Sequence, residues 1–285
     1  MIFSEHQAQI FLEATGHELW KLCDEISSLD ELQRKEVEGL DKHIFNHPLN
    51  KKGLQAFRAL LAENTWIQDL KNSNNYDNQN TQAFIENGYF IKEDFMPLEL
   101  YEQIQNLSHG VHNMGTELVE LYKQVLTFAG SRFDFSYKNI NIKTYEHFEG
   151  DDQYELHLDS HRPRIKSWVY LQDTTEEHGP LGYVPKSNKN TVEKLKWLYE
   201  TSLIANDEKH PLFFNRHIST PRVGSYRLNR QADANAELER LNMAKEKVMC
   251  VKENTLVVAD TRGFHRRVPA EPGTKRKSMR FNILL

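Results

Sequence analysis

The chain has 285 residues, of which 39% are hydrophobic and 11% aromatic, enough for one large domain with additions or two modest domains. A formal net charge of −5 and a pI of about 6.2 exclude a general electrostatic attraction to nucleic acid or to an anionic membrane. No signal-peptide pattern and no apolar run of membrane-spanning length are present, and Cys23 and Cys250 are too far apart in sequence to pair as a redox motif. We therefore expect a cytoplasmic protein with free thiols.

The first part of the chain has helical periodicity. Leu19, Leu22 and Ile26 recur at helical spacing, and Leu54 and Phe57 begin a second stripe of the same kind. Both stripes predict core-facing helices without chemistry. The polar, Asn-rich stretch 71–80 predicts a linker. We therefore divide the chain into a helical N-terminal extension with its linker, 1–80, and a main domain, 81–285.

The main domain begins with helices and then changes to a period of two. Strands are predicted at 139–147, around Leu156, and at 165–172, 248–251, 256–259, 264–268 and 277–284. A helical insertion interrupts them near 190–246. Helices first and many short strands later predict an α+β protein built on a β-sandwich or barrel.

One predicted strand carries a candidate pair of metal ligands. His157 and Asp159 are two residues apart, so on a strand their side chains share one face while Leu156 and Leu158 pack behind them. With His265 from a distant strand, they would form the two-histidine, one-carboxylate triad of non-haem Fe(II) oxygenases. Two polar residues at this spacing are also common on any half-solvated strand, so the pair alone does not establish a site.

The last predicted strand has two different faces. Its apolar face carries Met279, Phe281 and Ile283, and its polar face carries Arg276, Ser278, Arg280 and Asn282. An arginine fork binds a carboxylate through two parallel hydrogen bonds, and Ser278 is placed to add a third. The alternative is that Arg276 belongs to a solvated basic turn.

Taken together, the segment from Phe84 to Leu285 resembles the phytanoyl-CoA dioxygenase branch of the Fe(II)/2-oxoglutarate-dependent oxygenases. Four separated motifs agree in order with that family. Lys186 and Asn188 depart from it, because the family has Gly and His there. The matching stretches are Glu86–Tyr89, His157–Asp159 with Trp168, Gly179–Leu181 with Val184–Lys189, and His265 with Arg276 eleven residues later.

The resemblance implies a double-stranded β-helix, or jelly roll, with supporting helices. It implies that His157, Asp159 and His265 hold Fe(II) and that Arg276 binds the far carboxylate of 2-oxoglutarate, with Ser278, Trp168 and Tyr145 as further cosubstrate contacts. O2 and a small-molecule substrate would be consumed, and succinate and CO2 released. The carboxylate of Asp159 favours hydroxylation, or another oxidation such as desaturation or ring closure, over halogenation, because halogenating members of the family have a small residue there.

Arginines near the ligand segments suggest the nature of the substrate. A local positive field would attract a carboxylate- or phosphate-bearing metabolite or conjugate. The alternative is that these arginines pair with acidic residues on neighbouring loops. The candidate substrate-binding residues are Arg164, Arg267 and Arg280.

Two other functions fit parts of the pattern. A zinc-dependent hydrolase would use His157, Asp159 and His161 as a three-ligand set with an open fourth position. A non-catalytic binding module on the same scaffold is the other alternative, since fold does not determine activity. The sequence gives no indication of the oligomeric state.

Overall fold

A computed structural model describes residues 3–40, 47–71, 79–113, 115–126, 139–147, 152–159, 161–162, 164–206, 226–227 and 234–284. The helices are α1 Glu5–Thr15, α2 Leu19–Ser27, α3 Glu31–Glu38, α4 Leu54–Lys71, α5 Gln79–Asn87, α6 Leu98–Gln105, α7 Thr116–Val125, α8 Val192–Asn206 and α9 Ala234–Arg240. None of them, in the part of the chain described, is long and apolar enough to cross a membrane.

The strands are short and numerous. They are β1 Tyr89–Lys92, β2 Gly110–Asn113, β3 Asn139–Glu146, β4 His157–Leu158, β5 Arg164–Tyr170, β6 Leu181–Tyr183, β7 Tyr226–Arg227, β8 Lys247–Val248, β9 Thr255–Asp260, β10 His265–Arg267 and β11 Lys275–Leu284.

The chain forms two compact units. The first, which we call the helical unit, comprises the described residues of Met1–Ile67, Leu156–Pro163 and Lys189–Lys245. Here α1 packs against α8, and α1 begins at a capping box formed by Ser4 and Gln7. Its core contains the predicted stripes, because Leu19, Leu22, Ile26, Leu54 and Phe57 are all buried. The helical prediction for the start of the chain is therefore confirmed.

The second, which we call the sheet unit, comprises the described residues of Gln68–Glu155, Arg164–Asn188 and Glu246–Leu285. It contains a six-stranded antiparallel sheet in the order β1-β9-β5-β11-β3-β2. The outer face of this sheet is apolar, with Val169, Met279 and Phe281 buried. The Tyr122 ring of α7 packs 5.1 Å from the Phe281 ring, so this helix supports the outer face.

A second antiparallel set of strands, β10-β6-β8, packs on the inner face of the sheet. Trp168 and Tyr170 of β5 share one buried cluster with Leu181 and Tyr183 of β6. Along the chain β5, β6, β9, β10 and β11 alternate between the two sheets, which is the connectivity of a jelly roll. The predicted α+β class with a jelly-roll core and supporting helices is confirmed.

Some predicted boundaries differ from the structure. Helix α5 begins at Gln79, inside the stretch assigned to the Asn-rich linker, and 72–78 lie outside the described residues. Strand β4 covers only His157 and Leu158, so Asp159 follows the strand and does not belong to it. The predicted insertion contains α8 and α9, while 207–225 and 228–233 are outside the described part.

Candidate active site

The segment around β4 places a buried histidine beside a partly exposed carboxylate. Leu156 and Leu158 are each 3% exposed, and His157 between them is 2% exposed. The Nε2 atom of His157 lies 3.9 Å from Oδ1 of Asp159. The imidazole and the carboxylate are therefore close to each other, as expected, although Asp159 lies just beyond the strand.

His265 opens β10 and is buried, with its ring fixed by the local backbone. Its Nδ1 atom lies 2.9 Å from the carbonyl oxygen of Gly263. A carbonyl oxygen only accepts hydrogen bonds, so Nδ1 carries the proton and donates. The neutral ring then presents the lone pair of Nε2, which is the form in which histidine binds a metal.

His157, Asp159 and His265 each offer one ligand atom, and these three atoms all lie within 4.8 Å of one another. Among the described residues no other group of three His, Cys, Asp or Glu side chains meets that condition. Two imidazoles and one carboxylate suit a divalent transition metal and leave its remaining positions open. The donor set therefore fits the iron that the resemblance implies.

His161 is not a member of this cluster. Its Nε2 atom lies 3.2 Å from Oε1 of Gln55, and Nη1 of Arg58 donates to the same oxygen. Because an arginine only donates, that atom is the amide oxygen, and Nε2 of His161 must also donate to it. Nε2 is thus engaged with Gln55, and among the described residues neither ring nitrogen of His161 joins a three-ligand group, which disfavours the zinc set of His157, Asp159 and His161.

The turn before His265 is held by an ion pair. Arg262 donates through Nε and Nη2 to the carboxylate of Asp260, with Nη2 2.6 Å from Oδ2, and Asn188 donates to the same oxygen. Burial raises the pKa of Asp260, but the Arg262 guanidinium and these hydrogen bonds lower it by more, so the pKa lies below its ordinary value. Asp260 thus ends β9 with its carboxylate paired to Arg262, and it does not join the metal cluster.

A second set of contacts holds the backbone beside His265 and was not foreseen. Ser187 Oγ accepts a hydrogen bond from the Phe264 N–H at 2.7 Å, and the Tyr183 hydroxyl donates to the Asp260 carbonyl at 2.9 Å. A Cβ on Gly263 would lie 2.0 Å from the Tyr183 hydroxyl. Ser187 stands in a run already singled out by its resemblance, but nothing in the sequence pairs Tyr183 with Gly263.

Arg276 lies on the inner face of β11 and is 4% exposed. It donates through Nη1 to the Gly179 carbonyl, while its Nε atom has no hydrogen-bond partner. No carboxylate of the described residues lies within ion-pair distance of it. Burying an uncompensated guanidinium costs on the order of several kcal/mol, so the arrangement suits an anionic ligand. The solvated-turn interpretation of Arg276 is inconsistent with this burial.

Ser278 lies two residues further along the same strand face and is fully buried. Its Oγ atom has no hydrogen-bond partner in the described part of the chain. In the sheet register it stands opposite Lys143 of β3 on one side and Tyr170 of β5 on the other. A buried hydroxyl next to a buried guanidinium forms a polar site on the inner face of this strand.

Tyr145 lies between two arginines. The guanidinium carbon of Arg267 is 4.3 Å from its ring centroid, and that of Arg276 is 4.7 Å from it. Trp168 lies in the buried cluster of the inner face, opposite Arg280 in the register. Tyr145 therefore places Arg267 and Arg276 near each other, which increases the local positive charge.

The remaining arginines differ in their surroundings. Arg280 is half-buried and shares the face of Arg276 and Ser278, whereas the side chain of Arg164 lies outside the described residues. Arg266 pairs with Glu246, with Nη2 2.6 Å from Oε2. This arginine therefore fits the alternative in which arginines near the ligand segments pair with acidic residues of the chain. Of the three candidate substrate residues, Arg267 and Arg280 have side chains within the described part of the chain.

No protein-family model matches the chain, and no curated protein matches it. Solved structures similar to it include EctD from S. alaskensis with 2-oxoglutarate and 5-hydroxyectoine, at 12% identity and a TM-score of 0.43, covering 71% of this chain and 74% of that one. HygX from Streptomyces hygroscopicus with nickel and 2-oxoglutarate matches at 13% identity and a TM-score of 0.38, covering 72% and 86%. The epimerase SnoN from nogalamycin biosynthesis, with Fe3+, alpha ketoglutarate and nogalamycin RO, matches at 10% identity and a TM-score of 0.40. This match covers 71% of this chain and 81% of that one. The identities and the TM-scores are low in all three matches, so the site is assigned from its own geometry.

Proposed function

We propose that the chain is an Fe(II)/2-oxoglutarate-dependent dioxygenase of the phytanoyl-CoA dioxygenase type that hydroxylates a C–H bond of a small anionic metabolite or conjugate. The observation that carries the proposal is the convergence of His157, Asp159 and His265, whose ligand atoms lie within 4.8 Å of one another. Bound iron would supply oxygen activation coupled to decarboxylation of the cosubstrate. In this proposal residues 81–285 form the catalytic domain and 1–80 its helical extension.

The chain itself provides the binding and orientation. His157, Asp159 and His265 hold the metal from one side, and the Gly263 carbonyl keeps the His265 proton on Nδ1. Arg276 binds the far carboxylate of 2-oxoglutarate with its fork, and Ser278 donates its hydroxyl proton to the same group. Trp168 and Tyr145 line the cosubstrate, and burial of this face excludes water from it.

A carboxylate at Asp159 supports hydroxylation over halogenation, because the position that a halide would take is filled by a protein ligand. Arg267 and Arg280 support an anionic substrate, since Arg267 lies against the Tyr145 ring and Arg280 stands opposite Trp168 in the sheet. Arg164, which begins β5, is proposed as a third contact with that substrate.

The experiment combines anaerobic Fe(II) titration with measurement of succinate formed from 2-oxoglutarate over a panel of anionic compounds. We expect one iron per chain, and loss of binding in His157→Ala, Asp159→Ala and His265→Ala. His112→Ala is the matched control, since this half-buried histidine of β2 bonds the Ser108 carbonyl and lies outside the metal cluster. Loss of metal in His161→Ala but not in His265→Ala would support the zinc hydrolase instead, and metal binding without any succinate would support the binding module.

A further inference from the structure

Three polar side chains are fully buried at the start of α4. Asn50, Gln55 and Arg58 are each 0% exposed. Gln55 donates through Nε2 to Oδ1 of Asn50 at 2.8 Å, and Arg58 donates through Nη1 to Oε1 of Gln55 at 3.2 Å. Arg58 also donates to the Gly39 carbonyl. Buried polar groups are stable only when hydrogen-bonded, so this network has one low-energy arrangement.

The network ends on the segment that carries two of the metal ligands. Oε1 of Gln55 accepts from Nε2 of His161 at 3.2 Å, and His161 is itself 5% exposed. The amide of Gln55 cannot turn over, because one end faces Asn50 and the other faces Arg58 and His161. The next residue is also bound, since the Arg162 N–H donates to the Leu40 carbonyl at 3.2 Å.

The bonds of His161 and Arg162 restrict the chain just after the ligands His157 and Asp159. Asp159 stands only two residues before His161, and each residue of chain spans at most about 3.6 Å. Fixing His161 and Arg162 therefore limits the positions open to the Asp159 carboxylate. Asp159 follows β4 and is not part of it, so the bonds of His161 and Arg162 add a constraint that strand pairing does not supply at this residue.

We propose that Gln55 is a positioning residue for the metal centre and that the N-terminal helices hold the His157–Asp159 segment in its metal-binding geometry through it. This inference rests on the proposed metal site but not on the 2-oxoglutarate chemistry. It also assigns a role to the part of the chain that the family resemblance does not cover. A metal without cosubstrate is therefore a sufficient probe.

The test compares three variants by Co(II) titration of the full chain, with affinity read from the visible absorption of the bound ion. Gln55→Leu removes the acceptor, and we expect it to weaken binding about tenfold, the lower end of what supporting residues contribute. Gln55→Glu keeps an acceptor for Arg58 and His161, and we expect it to bind within about twofold of wild type. Gln9→Leu is the control, because Gln9 is exposed and bonds Glu13 on α1. A folded Gln55→Leu with wild-type affinity would overturn the proposal.

A second pair of variants leaves α4 intact in case Gln55→Leu does not fold. His161→Gln keeps an N–H donor for Gln55, and we expect it to retain affinity, whereas His161→Leu should weaken it about tenfold. Wild-type affinity in both variants would contradict the proposal. Loss in His161→Gln as complete as in His157→Ala would make His161 a ligand and contradict it as well. A wild type that binds Co(II) but forms no succinate would overturn the proposed function only.

Discussion

Arg276 is buried on β11 without a carboxylate partner among the described residues, and this makes its contribution to cosubstrate binding measurable. Arg276→Ala should raise the 2-oxoglutarate concentration needed for half-maximal turnover by at least about tenfold, as expected for a lost hydrogen bond to a charged group. Arg276→Lys should recover only part of this, because an ammonium lacks the planar fork.

The matched control for Arg276 is Lys275→Ala, because Lys275 is the neighbouring residue, is exposed, and pairs with Glu146 on β3. We expect its 2-oxoglutarate requirement to equal that of wild type. An unchanged 2-oxoglutarate requirement in Arg276→Ala, together with a raised requirement in Arg280→Ala, would contradict this assignment. It would place the carboxylate site four residues further along the strand.

Asp260 gives a prediction for acid stability. Its pKa is lowered in the folded chain, mainly because Arg262 outweighs the effect of burial. A lowered folded-state pKa contributes stability that is present above the unfolded value near ~4 and is lost as the pH falls through the folded value. The free energy of unfolding should therefore fall on acidification below about pH 4, and less steeply in Asp260→Asn. Urea denaturation at several pH values measures both slopes, and equal slopes would contradict this role.

At the scale of the element, β11 could be predicted well from the sequence and β4 could not. The alternation of Met279 and Phe281 with Ser278 and Arg280 is a local pattern, and the structure gives these residues opposite faces. Strand β4 has two residues, too few for a period to be visible. The pairing of His157 and Asp159 was nonetheless predicted, from their spacing of two residues and from the ordered motifs that follow along the chain.

The turn between β9 and β10 gives the prediction at this scale. A Cβ on Gly263 would lie 2.6 Å from Cζ of Tyr183 and 2.9 Å from Oγ of Ser187, both of which are buried. Gly263→Ala should destabilise the fold by about 1–3 kcal/mol through overpacking. It should also weaken metal binding, because the Gly263 carbonyl orients His265.

Thermal denaturation and Co(II) titration of the same Gly263→Ala preparation test both effects. Gly115→Ala is the control, because a Cβ there meets nothing within 4 Å and its φ of −60° suits any residue. Equal stability and metal affinity in the two alanine variants would show that the backbone can accommodate the methyl group.

At the scale of the whole molecule, a net charge of −5 contrasts with the arginines around Tyr145. If they attract an anionic substrate, turnover of charged compounds should fall as salt rises from low to about 0.15 M, where the Debye length is about 8 Å. Arg267→Gln should lower turnover of the charged compounds and reduce this salt dependence. Matched neutral compounds should show neither effect.

Arg240→Gln serves as the control for Arg267→Gln, because Arg240 is exposed on α9 and pairs with Glu237. We expect this variant to keep the wild-type rate and salt dependence. Faster turnover of neutral compounds, with no salt dependence in the wild type, would rule out the anionic substrate and leave the dioxygenase proposal intact.

The sequence predicted the helical start, the strand-rich remainder and the jelly roll, because each depends on periodicity or on ordered motifs along the chain. The division of the chain into an N-terminal extension, 1–80, and a main domain, 81–285, stays a prediction. Contacts between distant residues outside the recognised motifs could not be predicted from the sequence: His161 bonds Gln55, and the Tyr183 hydroxyl lies against Gly263. Such pairs carry no local period, and a polar residue that is buried looks the same in sequence as one on the surface.

The Tyr183 phenol lies between two glycines. A Cβ on Gly88 would lie 2.2 Å from its hydroxyl, as one on Gly263 would lie 2.0 Å away, and the hydroxyl donates to the Asp260 carbonyl. Gly88, Tyr183 and Gly263 are therefore expected to change together in evolution, since a side chain at either glycine requires a smaller residue at position 183. Homologous chains should therefore show covariation among them, with both glycines retained wherever the tyrosine is.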